Sequence, residues 1–237
     1  MEPNGVRAVL FDAGNTLVYL DPVRMVELLR GYGADLELSG FRTLEFQARR
    51  RLHAGLPPGA QGTEPEVWRE YFTDIIAGSG VPEDSRVDAG MAVVEVHRRD
   101  HLWTHVETGT PEVLQALRNN GFRLGVISNA DGRMEALIER CGLREYFEFV
   151  VDSDRVGVAK PAAGIFHEGC RRMGLPPATC LYVGDLYPVD YLGAREAGLE
   201  AVVLDPLEIH GNRAPSISSL SELPAYLSAR GHPAGVG

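Results

Sequence analysis

Lysine is almost absent from this chain of 237 residues: of its 23 basic side chains only Lys160 is a lysine, and every other one is an arginine. A lone lysine either marks a place that needs a compact ammonium rather than a planar guanidinium, or survives by chance, and composition alone leaves both open. Acidic residues number 33, so the formal net charge is -10. With no basic surface beyond the arginine-rich run at 48–51, the sequence argues against nucleic acid or an anionic membrane as partner.

Long hydrophobic runs are also lacking. No segment approaches the roughly 20 apolar residues that cross a bilayer. Residues 1–12 (MEPNGVRAVLFD) have neither the basic nor the apolar segment of a secretory signal, so we expect a cytoplasmic protein. Cysteine is scarce: Cys141, Cys170 and Cys180 are odd in number and lack CxxC spacing, which argues against a disulfide framework or a zinc site.

Short apolar, β-branched runs alternate with helical patterns along most of the chain. Five runs predict buried strands: 6–11, 123–128, 147–151, 180–184 and 200–204. Strands that alternate with helices in this way predict an α/β fold with a doubly wound parallel sheet. We expect Asp131 to cap the helix that follows the second strand.

Residues 19–105 interrupt this alternation with four amphipathic helical patterns. The sequence therefore predicts two domains, a Rossmann-like core of 1–18 plus 106–237 and a small all-helical domain, 19–105, inserted after the first strand. Within the insert, we expect the arginine-rich run at 48–51 together with His53 to form a solvated helix face.

Polar side chains gather where the predicted strands end, which is where open parallel sheets bind their ligands. Any one of these aspartates alone would most often be a solvated turn residue, but their clustering at one sheet edge favours a site. The candidate site residues are Asp12, Ser128, Asn129, Lys160, Asp185 and Asp190.

Four segments around these residues, in this order, resemble the haloacid dehalogenase-like superfamily of hydrolases. They are FDAGNTL (11–17), VISNA (126–130), VAKPAAGIF (158–166) and VGDLYPVD (183–190). The resemblance implies a Rossmann-like catalytic core, with the helical insert as a cap domain. It also implies a Mg²⁺-dependent phosphatase that acts on a small phosphorylated, or otherwise anionic, metabolite. Nothing in the sequence indicates the number of subunits.

The resemblance also assigns roles to the candidate residues. Asp12 would be the nucleophile, forming an aspartyl-phosphate, and Lys160 would neutralise Asp12 and the charge that develops on the phosphoryl group. Ser128 and Asn129 would bind phosphoryl oxygens. The magnesium ligands would be the Asp12 carboxylate, the main-chain carbonyl of Gly14, Asp185, and Asp190 directly or through water.

Gly14 departs from the family's pattern. Phosphatases of the family usually carry a second aspartate at this position, which protonates the leaving group and later activates water. Three interpretations follow. The first is a phosphatase whose leaving groups need little protonation or whose base comes from the cap, and the second is a 2-haloacid dehalogenase. The third is a catalytically weak sensor of a phosphorylated metabolite, or a protein that binds a partner through its cap. The Gly184-Asp185 pair argues against the dehalogenase, because the fourth motif of that class lacks such a pair. Phosphonate hydrolases of the family also lack the second acid, but they need a lysine in the cap to form a Schiff base, and the predicted cap contains no lysine.

Overall fold

The computed structural model describes residues 5–57 and 59–230. The chain divides into two compact units. The first comprises the described residues of 1–18, 57–62 and 106–237, and the second those of 19–56 and 63–105. The predicted insert thus differs from the second unit at 57–62, a segment that packs with the first unit. None of the described helices combines the length and hydropathy of a membrane-spanning segment.

Strands and helices alternate in the described residues much as the sequence predicts. The strands are β1 (Ala8–Phe11), β2 (Tyr19–Leu20), β3 (Trp103–His105), β4 (Arg123–Ser128), β5 (Val150–Asp152), β6 (Cys180–Gly184), β7 (Glu200–Leu204) and β8 (Ser216–Ile217). The helices are α1 (Pro22–Arg30), α2 (Leu38–Gly55), α3 (Pro65–Gly78), α4 (Arg86–Asp100), α5 (Thr110–Asn119), α6 (Met134–Arg140), α7 (Ser153–Val156), α8 (Ala163–Met173), α9 (Leu192–Glu196) and α10 (Leu223–Ala229).

The first unit is built on a six-stranded sheet in the order β5-β4-β1-β6-β7-β8, with every neighbouring pair parallel. This confirms the predicted doubly wound α/β fold. The third predicted strand begins later than expected, at Val150, and β8 was not predicted because two residues carry no readable periodicity. Strand β1 is central, and all four of its side chains are buried, which fixes the residue that follows it inside the molecule.

The second unit contains α1 to α4, as predicted, but it is not all-helical. Strands β2 and β3 pair as a short antiparallel ribbon. The arginine-rich run also departs from the expected solvated face, since Arg49 is only 5% exposed and His53 only 9%. The guanidinium of Arg49 lies 3.2 Å from the Glu45 carboxylate, which also accepts a 2.9 Å hydrogen bond from the Tyr71 hydroxyl.

The expected cap of helix α6 is a different aspartate. Asp131 forms an ion pair with Arg133, and α6 begins at Met134. The carboxylate of Asp152, at the end of β5, accepts hydrogen bonds from the backbone N–H groups of Gly132 (3.0 Å) and Met134 (3.1 Å). The cap therefore comes from the neighbouring parallel strand rather than from the residues just before the helix.

Candidate active site

Asp12 follows directly after β1, and its backbone N–H donates a 2.8 Å hydrogen bond to the Val183 carbonyl of the neighbouring strand β6. The chain then turns sharply: Asn15 has a left-handed φ of 52°, and its N–H bonds to the Val18 carbonyl at 2.8 Å. Asn15 is thus the residue tolerant of left-handed backbone that the turn needs. The strand and the turn together hold the buried Asp12 side chain at the carboxyl edge of the sheet.

Lys160 lies at the same edge and is 2% exposed. Its ammonium donates to Asp12 Oδ1 at 2.6 Å, to Asp190 Oδ1 at 2.7 Å and to the Tyr182 hydroxyl at 3.0 Å. An ammonium has three N–H donors, so three oxygens satisfy it completely. The lone lysine of the chain is therefore buried among acidic and phenolic oxygens.

Three carboxylates converge on this place. Asp12, Asp185 and Asp190 are all buried, and one oxygen of each lies within 4.8 Å of the others. Gly184 makes the convergence possible, because a Cβ at this position would overlap the carboxyl group of Asp190. Against Lys160 alone, three ionised acids leave an excess of two negative charges, and oxygen donors of this kind suit a hard divalent cation.

Burial and crowding shift the proton equilibria of these groups. Burial raises the pKa of Asp12 to about 7, against the attraction of Lys160 and with further repulsion from Asp190 and Asp185. Burial likewise raises the pKa of Asp190. Burial opposes the charge on Lys160, but Asp12 and Asp190 outweigh it, so its pKa lies well above the usual value and the ammonium stays protonated.

Ser128 and Asn129 follow the neighbouring strand β4. Ser128 is buried, 2% exposed, at the last position of that strand. The Asn129 side chain is fully engaged within the protein: its Oδ1 accepts from the Lys160 N–H at 2.7 Å, and its Nδ2 donates to the carbonyls of Lys160 and Gln61, each at 2.9 Å. Its amide thus holds the backbone of Lys160, and a phosphate contact from Asn129 would have to come from its main-chain N–H.

Gly14, whose carbonyl is an expected metal ligand, lies in the turn after β1 and forms an isolated bridge with Val18. A Cβ at Gly14 would meet no atom within 4 Å. The structure thus brings Asp12, Lys160, Asp185 and Asp190 into one cluster. Tyr182 is not among the residues predicted from the sequence, although a tyrosine inside an otherwise apolar strand is a signal for a buried hydroxyl with a partner.

Comparison with known proteins agrees with the fold. A family model described as haloacid dehalogenase-like hydrolase matches residues 6–198. The chain belongs to the haloacid dehalogenase-like (HAD) hydrolases, which confirms the predicted family.

Two relatives and one solved structure illustrate the relationship. A glyceraldehyde 3-phosphate phosphatase of Methanothermobacter thermautotrophicus is 38% identical over 245 residues, covering 94% of this chain and all of that protein. Haloacid dehalogenase-like hydrolase domain-containing protein 3 of Xenopus laevis is 32% identical over 212 residues, or 85% of each chain. The crystal structure of a HAD phosphatase from Thermococcus onnurineus, 24% identical, covers 94% of this chain and 98% of its own, with a TM-score of 0.61, and shows a shared fold.

Proposed function

We propose that this hydrolase is a Mg²⁺-dependent phosphatase of small phosphorylated metabolites, in which Asp12 is the nucleophile. The observation that carries the proposal is the buried Asp12 carboxylate, bonded to the only lysine of the chain and grouped with two further acids. The archaeal relative named as a glyceraldehyde 3-phosphate phosphatase supports the substrate class. Neither nucleic acid nor a membrane is expected as partner.

The oxygen donors of the site fit a magnesium ion. Asp12, the Gly14 carbonyl, Asp185 and Asp190, the last directly or through water, would hold it. When bound, the ion supplies positive charge that offsets the repulsion between a carboxylate and a phosphate dianion.

The side chains of the protein carry out the remaining steps. Lys160 holds Oδ1 of Asp12, so we assign the attack on phosphorus to Oδ2. The new O–P bond replaces the bond to the leaving oxygen, and the ammonium of Lys160 neutralises charge on the transferring group. Ser128 Oγ and the main-chain N–H of Asn129 would bind phosphoryl oxygens. Water then attacks phosphorus as the bond between Asp12 Oδ2 and phosphorus breaks, which regenerates the Asp12 carboxylate and releases phosphate carrying the protons of that water.

Gly14 restricts the leaving groups that this mechanism handles well. Without an acid at this position, esters and anhydrides whose leaving groups depart with little protonation are favoured, such as acyl, enol and aryl phosphates. Alkyl esters such as glyceraldehyde 3-phosphate would need a proton donor from the helical insert. The physiological substrate therefore depends on whether the insert supplies that group.

A phosphate-release screen across metabolite esters and anhydrides, with and without Mg²⁺, tests the proposal. We expect Mg²⁺-dependent turnover that Asp12→Asn abolishes and that Asp131→Asn, which changes an exposed acid outside the cluster, leaves intact. Halide release from 2-haloacids without Mg²⁺ would instead identify a dehalogenase. Binding of phosphate esters with no turnover at all would identify a sensor.

A further inference from the structure

Tyr182 is a buried residue of strand β6 to which neither the motifs nor the comparisons assign a role. Its side chain is fully buried, and its ring packs edge-to-face on Phe166 with 5.0 Å between ring centroids. Strand β6 pairs with β1 in a register that sets Tyr182 opposite Leu10, two residues before Asp12. Apolar packing thus fixes the ring, and the ring carries its hydroxyl to the acid cluster.

The hydroxyl group has two close partners with different chemistry. It donates to the Ile127 carbonyl at 2.9 Å and accepts from Lys160 Nζ at 3.0 Å, while Asp190 Oδ1 lies farther away at 3.4 Å. We assign the hydroxyl hydrogen to the Ile127 carbonyl, the nearer of its two acceptors, which leaves a lone pair for the ammonium. Burial holds the pKa of Tyr182 well above its usual value despite the attraction of Lys160, so the phenol stays neutral. The hydroxyl is therefore an acceptor of fixed direction.

This acceptor completes the surroundings of Lys160. Asp12 and Asp190 occupy two of the three ammonium hydrogens, and Tyr182 takes the third. Without the hydroxyl, a buried N–H of a charged group would lose its only neutral acceptor, which is costly. The ammonium could then recover its bonding only by moving towards the two carboxylates.

We propose that Tyr182 is a positioning residue, whose hydroxyl, anchored on the Ile127 carbonyl, holds the Lys160 ammonium at the place where it contacts Asp12. The proposal rests on the proposed function for its kinetic consequence, but its structural part stands on the three hydrogen bonds of the ammonium and on the anchoring bond to Ile127. Tyr182 acts through Lys160 and not on the reacting atoms.

Kinetics give the first test, on the full chain with Mg²⁺ and p-nitrophenyl phosphate. Tyr182→Phe keeps the ring that packs on Phe166 and removes only the hydroxyl. We expect kcat to fall roughly ten- to hundred-fold, the effect of one hydrogen bond to a charged group, with KM nearly unchanged. Tyr226→Phe, which removes a hydroxyl from helix α10, should leave both constants unchanged. Unchanged kcat in Tyr182→Phe, or a change confined to KM, would overturn the proposal.

The single lysine permits a second test that needs no activity. Protein labelled with ¹⁵N-lysine has one side-chain ammonium, so its NMR signal reports Lys160 alone. We expect slow proton exchange with water in the wild type and in Tyr226→Phe, and at least about tenfold faster exchange in Tyr182→Phe, because one hydrogen bond is lost. Equal exchange in wild type and Tyr182→Phe refutes the positioning role. If Tyr182→Phe does not fold, exchange in the wild type as fast as in free lysine would still exclude the role.

The two tests separate this inference from the proposed function. The wild type could hydrolyse no phosphate ester while its ammonium signal is protected from exchange and loses that protection in Tyr182→Phe. This result would contradict the phosphatase function and support the positioning role. Mg²⁺-dependent turnover that Tyr182→Phe leaves unchanged would support the phosphatase function and contradict the positioning role.

Discussion

Restoring a carboxylate at Gly14 should change which phosphate esters the protein hydrolyses. The structure allows the substitution: a Cβ at Gly14 meets no atom within 4 Å, and its backbone is not left-handed. We expect Gly14→Asp to fold normally and to raise turnover of alkyl esters such as glycerol phosphate relative to p-nitrophenyl phosphate. The aryl leaving group departs with little protonation, so its turnover should respond far less.

The size of the effect follows from two opposing contributions. A well-placed general acid contributes roughly 10²- to 10⁴-fold to rate. The introduced carboxyl group would have no supporting contacts, so we expect less than that range, about tenfold or more in the alkyl-to-aryl ratio of kcat/KM. Against this, a fourth carboxylate adds repulsion beside Asp12, Asp185 and Asp190, which a saturating Mg²⁺ concentration should offset.

Gly14→Asn is the matched control, since it has the same size without a proton to give. The assay is steady-state phosphate release from both esters at saturating Mg²⁺ for wild type, Gly14→Asp and Gly14→Asn. Gly14→Asp could fold and bind Mg²⁺ and still have the same alkyl-to-aryl ratio of kcat/KM as Gly14→Asn. In that case the lack of a general acid at position 14 does not limit the turnover of alkyl esters. A donor in the helical insert would then be the candidate.

Three further predictions concern charged groups that the structure buries. Lys160→Arg should lose most phosphatase activity in the same assay although it keeps the charge. A larger planar cation cannot replace an ammonium that donates hydrogen bonds to three oxygens. Near-normal rates would contradict this explanation of the lone lysine. The pKa of Asp12 rises from 3.8 to about 7 in the folded state, so the folded protein binds this proton more tightly than the unfolded chain does. The free energy of unfolding, measured in EDTA, should therefore fall by roughly 2–3 kcal/mol from pH 5 to pH 8. Urea unfolding should show a smaller loss in Asp12→Asn, and an equal loss would contradict the assignment. Arg49→Met leaves the Glu45 carboxylate, whose side chain is only 13% exposed, without its cation, so the free energy of unfolding in urea should fall by about 3 kcal/mol. Most of this loss should be regained in Arg49→Met with Glu45→Gln. A loss below about 1 kcal/mol would mean that the pair is solvated.

The sheet and the acid cluster could be predicted because both follow from local pattern. Buried runs predict strands, and parallel strands place their carboxyl ends at one edge, which brings Asp12 and Asp185 together without knowledge of any contact. Lys160 lies on a loop, and its place just before the helix that precedes β6 predicted it at the same edge. Its three hydrogen-bond partners needed the structure.

What the sequence could not predict depends on residues far apart in the chain. Asn129 bonds to the backbone of Gln61, 68 residues earlier, and Asp152 caps a helix that begins 18 residues before it. Such side-chain bonds leave no periodic signal, and a nearer aspartate, Asp131, was the better local candidate. The prediction that Arg49 is exposed was wrong for a similar reason. A position within a run of arginines suggests exposure to solvent, and only the structure shows the contact of Arg49 with Glu45 and its burial.

The scarcity of lysine is explained best by comparing Lys160 with the arginines. At exposed sites the chain uses the fork of arginine on a carboxylate, as where Arg123 holds both oxygens of Glu148 at 2.7 and 2.6 Å. At the sheet edge, oxygens from three different side chains surround the Lys160 nitrogen. The three N–H donors of an ammonium can reach all three oxygens, whereas the coplanar donors of a guanidinium cannot. Lys160 neutralises only one of the three acidic charges there, and Tyr182 satisfies its third hydrogen without adding a negative charge. With all three acids ionised, the charge that remains on the cluster is therefore −2, which the magnesium ion that we propose for the site would balance.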